Sequence, residues 1–267
     1  MKVGVAYDAP LLGGSLLRRY ERFIAEVRLD DGREVRAHCV NPGRMEGLVQ
    51  PGARVWLSRA LTERKLPYTW EQVELEGQRI GVNTIVPNRL VRSLLEARAV
   101  KLPPFTSFKA EQKFGRGHRV DFKLETPEGP HLLEVKNCHL RYPDACGYFP
   151  DSFSERASSH ASALMRVAKK GSPASIFFTV QRADVTCVRP SALHDAAFAK
   201  SLRAAAAAGV TVRAFRFVPD ADGLWFDAEI GVDLKAYDAE QLRPFCRAYD
   251  ATSGWVRSNG KWAGPSL

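Results

Sequence analysis

The stretch from Arg119 to Leu140 constrains the fold of this chain most strongly, because it has the pattern of two strands joined by a tight turn. Apolar and polar residues alternate through its first half, which is typical of a strand with one buried face. Thr126-Pro127-Glu128-Gly129 then supplies turn chemistry, since proline presets the second turn position and glycine suits the last. Alternation resumes from His131. The sequence therefore predicts an antiparallel hairpin.

Three charged side chains of this hairpin are predicted to converge. A turn centred between Pro127 and Glu128 places Asp121 opposite Glu134, and directly opposed residues have Cβ atoms roughly 4.5–5.5 Å apart. Two carboxylates at that separation repel each other unless a cation lies between them. Lys136 shares a face with Glu134, because side chains two residues apart in a strand project to the same side. The alternative interpretation is an ion pair between Lys136 and either carboxylate on a solvated sheet face.

The composition is that of an ordinary globular protein. Of the 267 residues, 45% are hydrophobic and 26% are charged, and this length permits one large domain or two smaller ones. No apolar run approaches the roughly 20 residues of a membrane span. The N-terminus also lacks the pattern of a secretory signal. We therefore expect a cytoplasmic protein without a membrane partner.

The cysteines are odd in number and widely spaced, which favours reduced thiols over a disulfide framework. They are Cys39, Cys138, Cys146, Cys187 and Cys246. The spacing of Cys138 and Cys146 fits no credible zinc motif. We therefore expect all five cysteines to be reduced.

Positive charge is concentrated around the hairpin. The net charge is +9, and residues 101–217 carry 18 Lys and Arg against 10 Asp and Glu. A basic surface is the electrostatic footprint of polyanion binding, so this distribution favours a nucleic-acid partner. The alternative is a basic protein that has no polyanion partner.

Residues 1–87 are predicted to form a small β domain. Strands are expected, between turn signals, at residues 23–29, 34–40, 53–60, 68–75 and 78–82. Short strands at such close intervals are typical of an oligonucleotide-binding (OB) barrel, which binds single strands through basic and aromatic residues. Residues of those types are Arg18, Arg19, Tyr20, Arg22, Arg44, Arg64, Lys65, Tyr68 and Trp70. The same pattern fits a basic rim around a core that contains the aromatic side chains.

Residues 88–217 are predicted to form an α/β domain with a mixed sheet. A helix capped by Asn88 precedes a meander of three strands, and Glu111 on the first of them either reaches Asp121 or faces solvent. The strands of this meander are expected at residues 107–114, 118–125 and 131–140. Later elements are expected to be a helix at 154–171, a buried parallel strand at 175–181, a helix at 191–208 and a strand at 210–217. Residues 218–267 form an extension with a strand at 225–230 and no assigned chemistry.

Nine short motifs resemble the sugar fermentation stimulation protein A family. They are R-R-Y-E-R-F (18–23), A-H-C-V-N-P-G-R-M (37–45), R-K-L-P-Y-T-W (64–70), V-N-T-I-V-P-N-R-L (82–90), E-Q-K-F-G (111–115), R-V-D-F (119–122), L-E-V-K-N (133–137), F-P-D (149–151) and V-Q-R-A-D (180–184). The resemblance implies an OB-type barrel followed by a domain similar to the PD-(D/E)XK nucleases. It also implies sequence-nonspecific DNA binding and a regulatory part in maltose metabolism.

The resemblance to these nucleases gives the hairpin a chemical role. It implies that Asp121 and Glu134 bind Mg²⁺ or Mn²⁺, with the Val135 carbonyl as a third ligand. Lys136 is then the cation that positions the attacking water. The activity implied is that of a Mg²⁺-dependent DNA endonuclease. The alternative is a non-catalytic DNA-binding regulator of sugar metabolism that uses the nuclease-like fold only to bind.

The resemblance extends to further residues of the site and of the DNA-binding surface. Glu111 is a candidate outer acid, and Gln181 holds a position near the scissile phosphate. Contacts with DNA, mainly to phosphates, are expected from Arg18, Arg19, Arg22, Arg44, Lys65, Tyr68, Lys113, Arg116, Arg119, Arg156, His160 and Arg182. After the F-P-D motif a lysine of the family pattern is replaced, although Arg156 and His160 match it. The sequence leaves open whether the chain is a monomer or a homodimer.

Overall fold

The computed structural model describes residues 2–115 and 117–253, together with the backbone of two short paired strands at Val256–Ser258 and Lys261–Ala263. Apart from that pair, the strands form two sheets, a smaller one that closes into a barrel and a larger mixed one. The first strand, β1 (Gly4–Ala6), joins the larger sheet, although the barrel follows it along the chain.

A closed five-stranded barrel follows β1, as predicted for an OB-type domain. Its strands are β2 (Leu12–Tyr20), β3 (Ile24–Leu29), β4 (Glu34–His38), β5 (Arg54–Arg59) and β6 (Tyr68–Leu75), and β7 (Gln78–Gly81) extends the sheet beside β6. The barrel closes where β4 pairs in parallel with β6, at Ala37 opposite Tyr68. Leu57 and Trp70 are fully buried inside it. The aromatic residues of β6 therefore belong to the core.

A ten-stranded mixed sheet with helices on both faces forms the second part. Its elements are α1 (Val86–Glu96), β8 (Ser107–Phe114), β9 (His118–Thr126), β10 (Gly129–Cys138), β11 (Leu140–Arg141), β12 (Cys146–Phe149), α2 (Glu155–Ala168), β13 (Ala174–Val180), β14 (Cys187–Pro190), α3 (Ala196–Ala207), β15 (Thr211–Pro219) and β16 (Gly223–Val232). The strand order is β11-β12-β14-β16-β15-β13-β10-β9-β8, with β1 beside β16. The predicted three-stranded meander is confirmed as β8, β9 and β10.

The centre of this sheet is β13, which runs parallel to both β10 and β15. All of its residues are buried, as the continuous apolar sequence predicts. Helices α2 and α3 cover one face, where Leu164 and Leu202 pack, and α1 covers the other through Leu90 and Leu94. The predicted elements of the α/β domain are therefore present, and the hairpin β9–β10 lies between α1 and α2.

Two helices begin at other residues than predicted. α1 starts at Val86, and Asn88 lies within its first turn, so the prediction that Asn88 caps this helix was wrong. Pro87 accounts for the earlier start, because proline suits the first turn, where no amide is needed. α3 starts at Ala196 rather than at residue 191, because Asp195 is its cap and accepts a hydrogen bond from the Phe198 amide at 2.8 Å.

Cys146 and Cys187 form a disulfide, so the prediction of five reduced cysteines was wrong for this pair. The two residues are directly opposite each other on the parallel strands β12 and β14, with Cα atoms 4.7 Å apart. Strand neighbours at that separation lie within the span of a disulfide. The sequence could not show this, because 41 residues separate the two cysteines. Cys39, Cys138 and Cys246 are free.

Residues 218–253 first add a strand to the larger sheet and then form short helices that pack on the rest of the protein. β16 runs antiparallel to β15, and residue 217, the predicted end of the α/β domain, lies inside β15. After β16 come a 3₁₀ helix at Ala239–Leu242, α4 (Arg243–Ala248) and a 3₁₀ helix at Asp250–Thr252. This segment packs on an aromatic cluster around Tyr142. In the described part of the chain, no helix has both the length and the apolar character needed to cross a bilayer.

Candidate functional site

The carboxylate of Asp121 lies where β9 and β10 separate. The hairpin has the predicted register, and Phe122 opposite Leu133 is the last pair of its ladder. Beyond that pair, Asp121 Oδ2 accepts a hydrogen bond from the Val135 amide at 2.7 Å. Asp121 Oδ1 accepts a second one from Asn88 Nδ2 at 2.9 Å. Asp121 is therefore held between the hairpin and α1.

The carboxylate of Glu134 is held from two sides. Its Oε1 accepts a hydrogen bond from Lys136 Nζ at 2.6 Å and lies 2.5 Å from Nδ1 of His160. Lys136 is on the same strand, whereas His160 projects from α2 towards the sheet. Within residues 2–115 and 117–253, Oε1 is the only oxygen of this carboxylate that receives a side-chain hydrogen bond. The second oxygen, Oε2, is available to a cation.

These surroundings move the pKa values of the two acids in opposite directions. Burial raises the pKa of Asp121 above its ordinary value, and the negative charge of Glu134 raises it further. Burial would also raise the pKa of Glu134, but Lys136 and His160 outweigh it and hold the pKa below its ordinary value. Two poorly solvated carboxylates at one place offer the oxygen ligands that a hard divalent cation prefers.

Both carboxylates line a pocket of about 500 Å³ between the barrel and the α/β domain. The barrel side of the pocket is the loop that follows β4, and the opposite side is the end of the hairpin. The lining includes Asn41, Pro42, Gly43, Asn88, Asp121, Glu134, Val135, Lys136, Asn137, His139, Asp151 and Arg156. Arg156 is exposed in the first turn of α2. The pocket therefore combines an acidic centre with at least one accessible cation.

A third carboxylate, Asp151 of the F-P-D motif, joins the barrel to this pocket. Its Oδ2 accepts a hydrogen bond from the Met45 amide at 2.8 Å and lies 3.1 Å from Nε2 of His139. Burial would raise the pKa of Asp151, but His139 outweighs this effect and holds the pKa far below its ordinary value. Asp151 is therefore an ionised bridge between the β12–α2 connection and the loop that follows β4.

Two residues predicted for the site do not line the pocket. Glu111 does not pair with Asp121 in the β8–β9 ladder, which skips this position; its backbone φ is 53° and its side chain is exposed. Gln181 is completely buried, and its Nε2 donates a hydrogen bond to Asn137 Oδ1 at 2.8 Å. Gln181 thus supports Asn137, which does line the pocket.

Five residues predicted to contact DNA are engaged within the protein. Arg19 is buried and donates hydrogen bonds to three backbone carbonyls, and Arg182 is buried and paired with Asp184. Arg44 is paired with Glu46 and Asp250. The other two, Tyr68 and His160, are buried in the barrel core and beside Glu134 respectively. Packing, internal hydrogen bonds or ion pairs therefore already occupy these five side chains.

Six of the remaining seven predicted DNA contacts lie on the surface. Exposed side chains among them are Arg18, Lys65, Lys113, Arg119 and Arg156, and Arg22 is partly exposed. Arg18 is paired with Glu26, whereas Lys113 and Arg119 are opposite each other on β8 and β9. Arg116 lies outside the described residues.

Sequence reasoning missed the partners that hold the two carboxylates. The sequence predicts Asn88 as a cap, although Pro87 directly before it is a signal that the helix begins earlier. His160 is among the predicted DNA contacts, although it lies in a stripe with Ala157, Ala161 and Leu164 at helical spacing. A residue within such an apolar stripe faces the core, so this spacing could have directed His160 towards the sheet.

Comparison with known proteins agrees with this architecture. Residues 17–82 match the SfsA N-terminal OB domain, and residues 85–223 match the sugar fermentation stimulation protein RE domain. The sugar fermentation stimulation protein homolog of Pelobacter propionicus is 43% identical over 211 residues, which are 78% of this chain and 91% of that protein. The homolog of Thioalkalivibrio sulfidiphilus is 39% identical over 231 residues, which are 85% of this chain and 98% of that protein.

A solved structure is also similar to this fold. It is that of Pyrococcus furiosus SfsA in complex with Ca²⁺, with a TM-score of 0.78 and 26% sequence identity. The match covers 87% of this chain and 99% of the archaeal one.

Proposed function

Because this chain belongs to the sugar fermentation stimulation protein (SfsA) family, we propose that it binds DNA and hydrolyses a phosphodiester bond with a divalent cation, Mg²⁺ or Mn²⁺. The observation that carries the proposal is the convergence of Asp121, Glu134 and Lys136 in one pocket. A buried carboxylate, Glu134, beside the half-buried carboxylate of Asp121 is costly unless a cation compensates their charge.

The residues present fit such a cation. Asp121 and Glu134 offer carboxylate oxygens, which hard cations prefer. The related Pyrococcus furiosus protein was solved in complex with Ca²⁺, which supports a cation site in this fold. When bound, Mg²⁺ or Mn²⁺ supplies a Lewis acid that polarises a phosphate and acidifies a bound water.

The protein's own side chains orient this site. Lys136 holds a positive charge 2.6 Å from Glu134 Oε1, where it stabilises negative charge on a phosphate and directs a water. Asn88 and His160 fix the carboxylates from α1 and α2. Because such partners set the direction of each ligand atom, their loss weakens a metal site even though they never contact the metal.

DNA reaches the pocket from its open side, between the two domains. Arg156 is exposed at the pocket and is the first cation available to a phosphate there. Arg119 is exposed two residues from Asp121 on β9, and Lys113 is opposite it on β8. Contacts of these cations with phosphates carry no base sequence, which accounts for binding without sequence preference.

Incubation of supercoiled plasmid and single-stranded circles with the protein and Mg²⁺ or Mn²⁺ tests the proposal. We expect nicking that requires the metal. Asp121→Asn and Lys136→Met should lower its rate by roughly 100-fold or more, because each removes a charge from the reacting centre. Glu128→Gln is the matched control, since it removes an exposed carboxylate from the turn of the same hairpin. Its rate should equal that of the unmodified protein.

A second candidate function is a DNA-binding regulator without catalysis. One observation favours it, because Lys136 and His160 both already contact Oε1 of Glu134. Electrophoretic mobility shifts measured beside the nicking assay separate the two. A shift without nicking, unchanged in Asp121→Asn and Lys136→Met, would contradict the nuclease and support the regulator.

A further inference from the structure

A second cluster of metal-binding side chains lies where three distant segments of the chain meet. Glu46 comes from the loop between β4 and β5, His194 from the loop before α3, and Cys246 from α4. Their ligand atoms, Oε2, Nε2 and Sγ, all lie within 4.8 Å of one another. We propose that this cluster is a Zn²⁺ site that fastens α4 to the barrel and to the α/β domain.

The distances between the three ligand atoms are close to those around a tetrahedral zinc ion. Cys246 Sγ lies 3.6 Å from Glu46 Oε2 and 3.9 Å from His194 Nε2. Zinc bonds of 2.0–2.3 Å place neighbouring ligand atoms roughly 3.3–3.7 Å apart. The third distance, 2.7 Å between Nε2 and Oε2, is that of a hydrogen bond. Its proton is the one that a metal ion replaces when it binds, after which the two atoms move apart by roughly 0.6 Å.

The remaining polar atoms of the ligands are already oriented. Tyr142 Oη donates a hydrogen bond to Glu46 Oε1 at 2.6 Å, so Oε2 is the oxygen left for a metal. Ser191 Oγ lies 2.7 Å from His194 Nδ1, which leaves Nε2 to point into the cluster. Partners of this kind set the tautomer and direction of metal ligands. The side chain of Glu46 is completely buried, whereas Cys246 is partly exposed, so an ion reaches the site from the α4 side.

The charges around the cluster balance when a divalent ion is present. The Cys246 thiolate and the Glu46 carboxylate carry one negative charge each. Arg44 Nη1 lies 3.7 Å from the sulfur and 3.4 Å from Glu46 Oε2, and Arg44 also pairs with Asp250. One Zn²⁺ with Arg44 therefore offsets the thiolate and the two carboxylates, as a poorly solvated site requires.

The donor types select zinc rather than the cation of the other pocket. Thiolate and imidazole suit Zn²⁺, whereas Mg²⁺ and Mn²⁺ prefer oxygen. Asp121 and Glu134 offer only oxygen atoms, so the two sites have different chemistry. A test of the zinc site therefore gives the same result whether or not the protein is a nuclease.

Titration of the purified, metal-stripped protein with Co²⁺ tests the proposal, because a thiolate bound to cobalt gives a near-ultraviolet charge-transfer band. We expect this band in the unmodified protein, and Zn²⁺ should displace it. Cys246→Ser should abolish it. Tyr142→Phe should keep the band but weaken the Co²⁺ affinity roughly 10–100-fold, because it frees the carboxylate of Glu46. Cys39→Ala removes another free cysteine and should leave the band unchanged, as should Asp121→Asn.

Absence of the band in the folded, unmodified protein would overturn the zinc site, as would a band that persists in Cys246→Ser. A second measurement needs no variant and so avoids any effect of substitution on folding. Zn²⁺ should slow the alkylation of Cys246 by iodoacetamide by at least tenfold, as followed by peptide mass spectrometry. An alkylation rate that Zn²⁺ does not change would contradict the proposal.

Discussion

Single acidic residues in this protein acquire their properties from a few neighbours. Asp121 receives hydrogen bonds from two neutral donors, so burial and the charge of Glu134 prevail and its pKa rises. Glu134 contacts Lys136 and His160, and its pKa falls although Glu134 is buried more deeply than Asp121. The difference lies in the charge of the partners, because a cation favours the ionised form and a neutral donor compensates burial only in part.

Glu71 offers a test of the same physics away from the pocket with Asp121. It is buried on β6 and accepts hydrogen bonds from Ser58 Oγ at 2.6 Å and Asn83 Nδ2 at 2.9 Å. Burial raises the pKa of Glu71. Below the ordinary Glu pKa of about 4.3 it is protonated in the folded and unfolded states alike. As the pH rises above that value the unfolded chain ionises first, so the free energy of unfolding declines until the folded pKa is passed.

Glu71→Gln should therefore stabilise the protein at pH 7 by roughly 1 kcal/mol. The gain should shrink towards zero at about pH 4, because the wild-type side chain is then neutral in both states. Urea unfolding at the two pH values measures it. Glu63→Gln, at an exposed position, should change the stability little at either pH. Equal stability of Glu71→Gln and wild type at pH 7 would argue against a raised pKa.

At the scale of elements, the connection between β12 and α2 holds the two domains in position around the pocket. Asp151 in this connection accepts a hydrogen bond from the Met45 amide in the barrel and contacts His139, which follows β10. The loop that follows β4, the end of β10 and the start of α2 therefore meet at one buried charge. A change there should affect the stability of the whole arrangement.

Asp151→Asn should lower the free energy of unfolding at pH 7 by roughly 1–3 kcal/mol, because a charge-assisted contact is replaced by a neutral one. The folded pKa of Asp151 is depressed, so its contribution is complete above the ordinary Asp pKa of about 3.9 and declines as the pH falls below it. Guanidinium unfolding at pH 7 and pH 3 should show the difference between variant and wild type decreasing in acid. A difference that stays constant would mean that Asp151 acts through packing and not through charge.

At the scale of the whole molecule, the two domains together line the pocket, and exposed cations lie at the pocket and near it. Accessible cations include Arg156 at the pocket and Lys113 and Arg119 on the β8–β9 hairpin. Several cations that the sequence predicts to contact DNA are instead bonded inside their own domain. Arg19 donates to the Asn41 carbonyl within the barrel, and Arg182 donates to the His139 carbonyl within the α/β domain. The accessible basic surface is therefore smaller than the net charge alone suggests.

DNA affinity should fall steeply with salt, because each phosphate contact releases counterions. Three or four contacts predict a slope of log K against log salt of about −3 for duplex DNA. Arg156→Gln should reduce the magnitude of that slope by about 1 and weaken binding equally for unrelated sequences. Lys200→Gln, exposed on α3 and outside the pocket, is the charge-matched control and should leave the slope unchanged. Fluorescence anisotropy from low to physiological salt measures both, and a salt-independent affinity would contradict phosphate contacts.

Much of the architecture was predictable from local patterns. The three strands of the meander, the buried strand β13 and the start of α2 occur where apolar periodicity and turn chemistry indicated them. Errors occurred where two local signals competed. Asn88 is a good cap, but Pro87 directly before it moves the start of α1 to an earlier residue.

By itself, the sequence determined the hairpin and the meeting of Asp121 with Glu134 and Lys136. Alternation specifies the sheet face on which each side chain lies, and the turn sets the register of the two strands. Both signals are local, because the three residues are close together in the chain. Only the tertiary structure decided what surrounds them. His160 is 26 residues from Glu134, Asn88 is 33 from Asp121, and His194 is 148 from Glu46. No local sequence pattern specifies contacts between residues so far apart in the chain. These contacts depend on how the helices pack on the sheet and how the barrel docks against it.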